Sequence, residues 1–252
     1  MKYTVVTGAS SGIGYETSLA LAARGKNLIV TARRREQLEE LKSEINHNYP
    51  DVDVVIRVTD LSVSSNAYKL YEDLQEFEIE TWINNAGFGN FASVAKQDLD
   101  KISAMLHLNI ESLTTLSSLF VRDYSNVEGT QLINVSSGGG YTIVGNAITY
   151  CATKFYVSAF TEGLSHELKS QGALMQAKVL APAATETEFA KLSFDVPEFE
   201  YQGTVPKYHT AKEMAGFMLD LYDNDHVVGI VNGLTYEFEL RDTLYNYVAS
   251  TR

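Results

Sequence analysis

The chain has 252 residues, 45% of them hydrophobic and 21% charged, which is ample for one large mixed domain and excludes a disordered or fibrous protein. Its 20 Lys and Arg against 32 Asp and Glu leave a formal net charge of −12, which phosphate backbones and anionic lipid repel, so neither nucleic acid nor membrane is an expected partner. With one cysteine, Cys151, no zinc-ligand spacing and strand-like sequence from Tyr3 that leaves no room for a signal peptide, a metal-free cytoplasmic protein is expected.

In chain order, short β-branched runs alternate with longer segments of helical period, the pattern of a parallel sheet with crossover helices. About seven strands are predicted, near Lys2–Val6, Asn27–Thr31, Asp53–Val58, Thr81–Asn84, Gln131–Val135, Ala177–Leu180 and Val227–Val231. Their continuous apolar character suits strands buried on both faces, so the expected fold class is a single doubly wound α/β domain with helices on both sides of the sheet. The first strand runs into Thr7-Gly8-Ala9-Ser10-Ser11-Gly12-Ile13-Gly14 and then a helix that ends at Arg24-Gly25. Glycines let the backbone turn sharply and approach a pyrophosphate, while the N–H groups and dipole of the helix start favour negative charge. Further along, Leu99, Ile102, Met105, Leu106, Leu113, Leu116 and Phe120 form one buried helix stripe, and Thr210 with Glu213 reads as a capping box. Between these two elements, Ala183 to His209 has no confident element, and a loop of that length suggests a substrate lid over about 183–209.

Tyr150 and Lys154 stand four apart at the start of a helical pattern and so share one face. A free tyrosine is too weak an acid for ready proton exchange at neutral pH, and a neighbouring ammonium favours the phenolate, so Lys154 is expected to lower the Tyr150 pKa. Taken alone such a pair is more often a surface contact. Its context reverses that reading, because Asn84-Asn85-Ala86-Gly87, Asn109 and Asn134-Val135-Ser136-Ser137 precede it in order, after a turn of spacing Gly-x-x-x-Gly-x-Gly.

Together these motifs resemble the classical short-chain dehydrogenase/reductase family over nearly the whole chain. The resemblance implies a Rossmann-like fold, with a cofactor-binding part over about 1–135 and a catalytic and substrate part over about 136–252. It implies that Tyr150 is the general acid/base and that Ser137 orients the substrate oxygen. Lys154 would tune Tyr150 and hold the nicotinamide ribose, and Asn109 would hold a water that links Lys154 to solvent. The cofactor neighbours it implies are Gly8, Ser10, Ser11, Gly12, Ile13, Gly14, Asp60, Leu61, Asn85, Ala86, Gly87, Pro182, Thr185 and Thr187, with Tyr150 and Lys154.

After the second strand, Ala32 stands where an acid would hold the ribose 2′-hydroxyl, and Arg33 and Arg34 follow. A guanidinium pairs with phosphate through two parallel hydrogen bonds, which favours NADP(H) over NAD(H) and makes Arg33 the foremost candidate. Arg35, and on the plainer reading Arg34, decorates the solvated start of the next helix. Two positions depart from the family. Ser11 stands where many NADP-preferring relatives carry a base, and Ala183 replaces a glycine after Pro182.

Phe88, Phe91, Tyr141, Ile143, Phe189, Phe194, Phe199, Tyr201 and Tyr208 are the candidate walls of an apolar pocket. The leading expectation is an NADPH-dependent reductase of a hydrophobic aldehyde or ketone, with a small-molecule carbonyl or alcohol as its partner and a homo-dimer or homo-tetramer as its assembly. The alternatives are an NADP-dependent alcohol or hydroxy-acid dehydrogenase and a non-redox NADP-binding sensor or hydrolase on the same fold.

Overall fold

In the computed structural model, which describes residues 1–249, the β-branched runs form a single large sheet. The strands are β1 (Lys2–Thr7), β2 (Asn27–Ala32), β3 (Val54–Val58), β4 (Glu78–Asn84), β5 (Gln131–Val135), β6 (Gln176–Ala181), β9 (Val228–Val231) and β10 (Phe238–Arg241); the short strands β7 (Thr185–Glu186) and β8 (His209–Thr210) pair separately. The helices are α1 (Gly12–Ala22), α2 (Arg35–Asn48), α3 (Ser64–Glu72), α4 (Leu99–Leu106), α5 (Leu113–Tyr124), α6 (Ile148–Gln171), α7 (Phe189–Phe194) and α8 (Ala211–Tyr222). All seven expected strands are present.

The sheet has eight strands, in the order β10-β9-β6-β5-β4-β1-β2-β3. The unexpected member, β10, runs antiparallel to β9 and pairs Phe238 with Val231. At the sheet edge β10 needs only one face covered, so it lacks the continuous apolar run by which the others are recognised. Its Phe238 stacks on Phe217 of α8 at 4.5 Å between ring centroids.

Chain order reverses between β1 and β4, so the carboxyl ends of these two strands open a crevice on the sheet's upper edge, the place where doubly wound sheets bind ligands. One core lies under α1, α2 and α8 and includes Val6, Leu21, Leu38, Leu41 and Met218. The other lies under α3, α5 and α6 around Trp82, Tyr71 and Phe120. A buried polar chain steadies the second core: Trp82 Nε1 donates to Asn84 Oδ1, Asn84 Nδ2 to Asn134 Oδ1, and Asn134 Nδ2 to Thr161 Oγ1, each at 2.9 Å. In a low-dielectric interior these fully paired amides fix the relative height of β4, β5 and α6, and hence of the residues at their ends.

The Leu-rich helix is not one uninterrupted α-helix. Between α4 and α5 the residues His107–Ser112 form a π turn. The wider turn breaks the α-helical spacing of the stripe. Ile102, Met105, Leu113, Leu116 and Phe120 are buried, whereas Leu99 and Leu106, seven apart along α4 and so on its solvent side, are exposed, contrary to the expected single face. The capping box at Thr210 and Glu213 is present. The segment expected as an open loop carries β7, α7 and β8.

Candidate active site

The glycine turn is shaped by close approach. Gly8 and Gly12 have positive φ angles of 69° and 57°, which glycine adopts without steric cost. A Cβ on Gly8 would lie 2.8 Å from Ala86 Cα, and one on Gly12 would lie 2.9 Å from Thr187 Cγ2. A Cβ on Gly14 would collide with the Asn85 side-chain amide and the Gly8 carbonyl. Asn85 Nδ2 donates to the Thr7 and Gly8 carbonyls at 2.9 and 3.2 Å, which ties the end of β4 to the turn. Ser11 precedes α1 without a side-chain cap, so no hydroxyl takes up the first amides of that helix. Ile13 packs on the core beneath.

The basic residues after β2 take separate places. Arg34 lies over the turn, with Nη2 donating to Ser11 Oγ at 2.8 Å and Ser10 Oγ at 3.2 Å. Arg33 instead sits where its charge acts on Asp60. Burial pushes the Asp60 carboxyl up, but Ser62 and the Arg33 charge outweigh it and hold the group below its usual range. Arg35 opens α2 and pairs with Glu39, as expected of a solvated helix start. Leu61 buries its side chain in the second core, and its carbonyl accepts from Ser112 Oγ.

On the other side of the crevice, β5 delivers Ser136 and Ser137, and the first turn of α6 delivers Tyr150 and Lys154. Ser136 Oγ donates to the Lys154 carbonyl at 2.9 Å and meets Ser158 Oγ, so it serves the packing. Ser137 Oγ accepts from the Gly139 amide at 3.0 Å and stands beside the Tyr150 hydroxyl. Burial pushes the Tyr150 phenol above its ordinary range, and the Ser137 hydroxyl pulls the other way. The same burial draws the Lys154 ammonium down to about 8. Lys154 Nζ donates to the Val135 carbonyl at 2.9 Å and lies 5.9 Å from the Tyr150 ring centroid. In this geometry the Ser137 hydroxyl favours the phenolate against the effect of burial.

The two halves meet at Gly87. A Cβ there would stand 3.1 Å from Asn109 Oδ1 and 3.5 Å from Lys154 Nζ. Asn109 occupies the π turn, where its Oδ1 accepts from the Phe88 amide and its Nδ2 donates to Phe88 O and Thr153 Oγ1. Pro182 is buried and its carbonyl accepts from the Gly138 amide at 2.7 Å, tying β6 to the Ser137 turn. Ala183 has no positive φ, so the loss of the family's glycine there imposes no strain. Thr185 turns its hydroxyl to the Ala183 carbonyl, and Thr187 packs its methyl against Gly12.

Aromatic side chains enclose Tyr150. Phe189 of α7 lies 5.4 Å from its ring and Phe91 6.2 Å, while Phe91 also meets Phe194 at 4.7 Å. Cys151 is buried in the same cluster with Phe88. Tyr141, expected in the pocket wall, turns instead to the buried Glu162, whose Oε1 accepts its hydroxyl at 2.6 Å. Glu162 Oε2 accepts from the Leu244 and Tyr245 amides, and Tyr245 Oη donates to the Gly140 carbonyl at 2.6 Å. Sequence reasoning passed over this cluster; its one legible signal is an acid among the small residues of the buried α6 face, Ser158, Thr161 and Ser165.

The family model for short chain dehydrogenases matches residues 2–196. An uncharacterized oxidoreductase of Staphylococcus saprophyticus is 32% identical over 189 residues, which cover 74% of this chain and 75% of that protein. A very-long-chain 3-oxoacyl-CoA reductase of Anas platyrhynchos is 31% identical over 203 residues, covering 77% of this chain and 64% of that one. Among solved structures, a short-chain dehydrogenase from Sphingobium yanoikuyae in complex with NADPH superposes with a TM-score of 0.82 at 27% identity, covering 91% of this chain and 87% of that one.

Proposed function

The chain belongs to the short-chain dehydrogenase family of oxidoreductases, and from that premise we propose that it reduces hydrophobic aldehydes or ketones with NADPH, using Tyr150 as the general acid. The observation that carries this reading is the continuity of the crevice. The glycine turn packs against Asn85 and Ala86, Gly87 lies beside Lys154, and Lys154 stands 5.9 Å from the Tyr150 ring centroid, a sequence of neighbours that runs from a phosphate cradle to a buried proton donor.

The residues present fit a dinucleotide. Gly8, Gly12 and Gly14 leave room for backbone alone, the start of α1 has no side-chain cap, and the Arg34 fork with Ser10 and Ser11 is a donor set suited to phosphate. A bound nicotinamide dinucleotide supplies the hydride. The protein's share is the proton and its direction. Burial keeps Tyr150 protonated at neutral pH, ready to donate to the substrate oxygen, and Ser137 is placed to hold that oxygen and to steady the phenolate that remains. Lys154 is held by Val135 between Gly87 and the Tyr150 ring, where it would hold the ribose of a bound dinucleotide and serve the return of the proton.

The NADPH-bound relative and the Arg34 donor set support the 2′-phosphorylated cofactor. The aromatic seat around Tyr150 supports an apolar carbonyl. α7, which stands over Tyr150, is read as the substrate lid.

The test is NADPH consumption with a panel of apolar aldehydes and ketones, run with NADH in parallel. Tyr150→Phe is expected to lower turnover by about 10²-fold or more while NADPH binding persists. Binding without turnover in the wild-type protein would move the reading to alcohol oxidation or to a non-redox sensor, and absence of binding would overturn the cofactor assignment.

A further inference from the structure

Arg34 already has an anionic partner. Besides Ser10 and Ser11, its Nη2 donates to Glu188 Oε2 at 2.8 Å. Glu188 immediately precedes α7, the helix whose Phe189 lies against Tyr150. The far end of α7 is pinned separately by Lys101, whose Nζ donates to the Leu192 carbonyl and pairs with Asp195 Oδ2, both at 2.9 Å. An ion pair from a different element therefore ties down each end of the helix over the proton donor. The hydrogen bond from Arg34 holds the Glu188 carboxyl below its usual range, with smaller help from Ser11 and Lys191 against burial, so it is ionised at neutral pH.

The two partners are unequal to other claimants on Arg34. Their side chains are 42% and 46% exposed, and a solvated pair of single charges is weak. A phosphate monoester brings close to two negative charges and three acceptor oxygens, which a guanidinium takes up in parallel. Where both compete for one fork, the phosphate wins.

On the dinucleotide reading above, we propose that Glu188 is the resident occupant of the cofactor's phosphate subsite. It holds Arg34 over the glycine turn and ties α7 onto Tyr150. A phosphate on the adenosine ribose takes Arg34 from it and releases that end of the helix. Glu188 thus sets how strongly a 2′-phosphorylated dinucleotide is preferred, by competing for the group that recognises it.

The experiment titrates wild-type, Glu188→Gln and Asp195→Asn proteins with NADPH and with NADH, without substrate, following the fluorescence of the reduced nicotinamide. Glu188→Gln is expected to raise the affinity for NADPH relative to NADH about two- to fivefold, the scale of an exposed ion pair. Asp195→Asn frees the other end of α7 without touching Arg34 and is expected to leave that ratio unchanged. An unchanged ratio in Glu188→Gln, or an equal shift in Asp195→Asn, overturns the proposal and leaves the cofactor reading standing. Failure of the wild-type protein to bind NADPH overturns that reading and the proposal with it.

Discussion

Tyr150 and Lys154 occupy one buried face and are driven toward neutrality by the same loss of solvent, the phenol upward and the amine down to about 8. For a lysine whose pKa falls on folding, both states hold the proton below pH 8, and the cost of charging a buried amine then lies wholly on the folded state. Between pH 8 and the ordinary lysine value of about 10.4 the unfolded chain alone keeps the proton, so the stability owed to this group rises with pH. Lys154→Met is therefore expected to stabilise the protein at neutral pH and to flatten the rise from about pH 8 to 10, measured by urea unfolding across that range. Lower stability of the variant at neutral pH would show that the bond to Val135 outweighs the burial. The pairing of Tyr150 with Lys154 was legible from their spacing. Where the amine of Lys154 turns its end was not, because i,i+4 spacing places two residues on one face without fixing a flexible side chain. Which arginine lies over the glycine turn was hidden for a related reason: three consecutive arginines present three directions, and only the path of the chain into α2 decides among them.

At the level of elements, the buried parallel strands were readable because each is a continuous apolar run closed by a turn or a helix cap. The seven expected strands and the Thr210 cap follow from such local signals. What was hidden depends on partners distant in the chain. The strand β10 shows little periodicity of its own and is held by Phe238, whose ring fills the space that a Cβ on Gly229 would need, at 2.8 Å, and stacks on Phe217. Phe238→Ala should therefore cost about 2–3 kcal/mol and lower Tm by about 4–10 °C, followed by thermal unfolding. A change near zero would mean that the hairpin bonds to β9 alone keep the strand in place. The π turn was likewise invisible, since Asn109 sits within an apolar stripe that fits an ordinary α-helix on both sides.

Across the whole molecule, the Glu162 carboxylate joins parts far apart in sequence: Tyr141 after β5, the Leu244 and Tyr245 amides and, through Tyr245, the carbonyl of Gly140 in the turn that follows Ser137. The terminal segment thereby braces the site from behind. Hydrogen bonds to a buried charged group are worth about 1.5–3 kcal/mol each, and members of one network do not act independently. Glu162→Ala should lower stability by about 3 kcal/mol, and Glu162→Gln combined with Tyr245→Phe should depart from additivity by about 0.5–1 kcal/mol in a double-mutant cycle of unfolding free energies. Strict additivity would mean that Tyr245 and Glu162 brace the turn separately. The antiparallel return that makes β10 reaches further than the site. An open sheet edge is a template on which the strand of another chain can grow, and the extended face of β9 would be such a template. Here the chain covers that face with its own β10, whose Arg241 and Glu239 pair with each other at 2.6 Å. The open edge on this flank is then β10, a four-residue strand carrying charged side chains, which discourages edge-to-edge pairing, so a hairpin loosened at Phe238 would first betray itself as loss of solubility on storage.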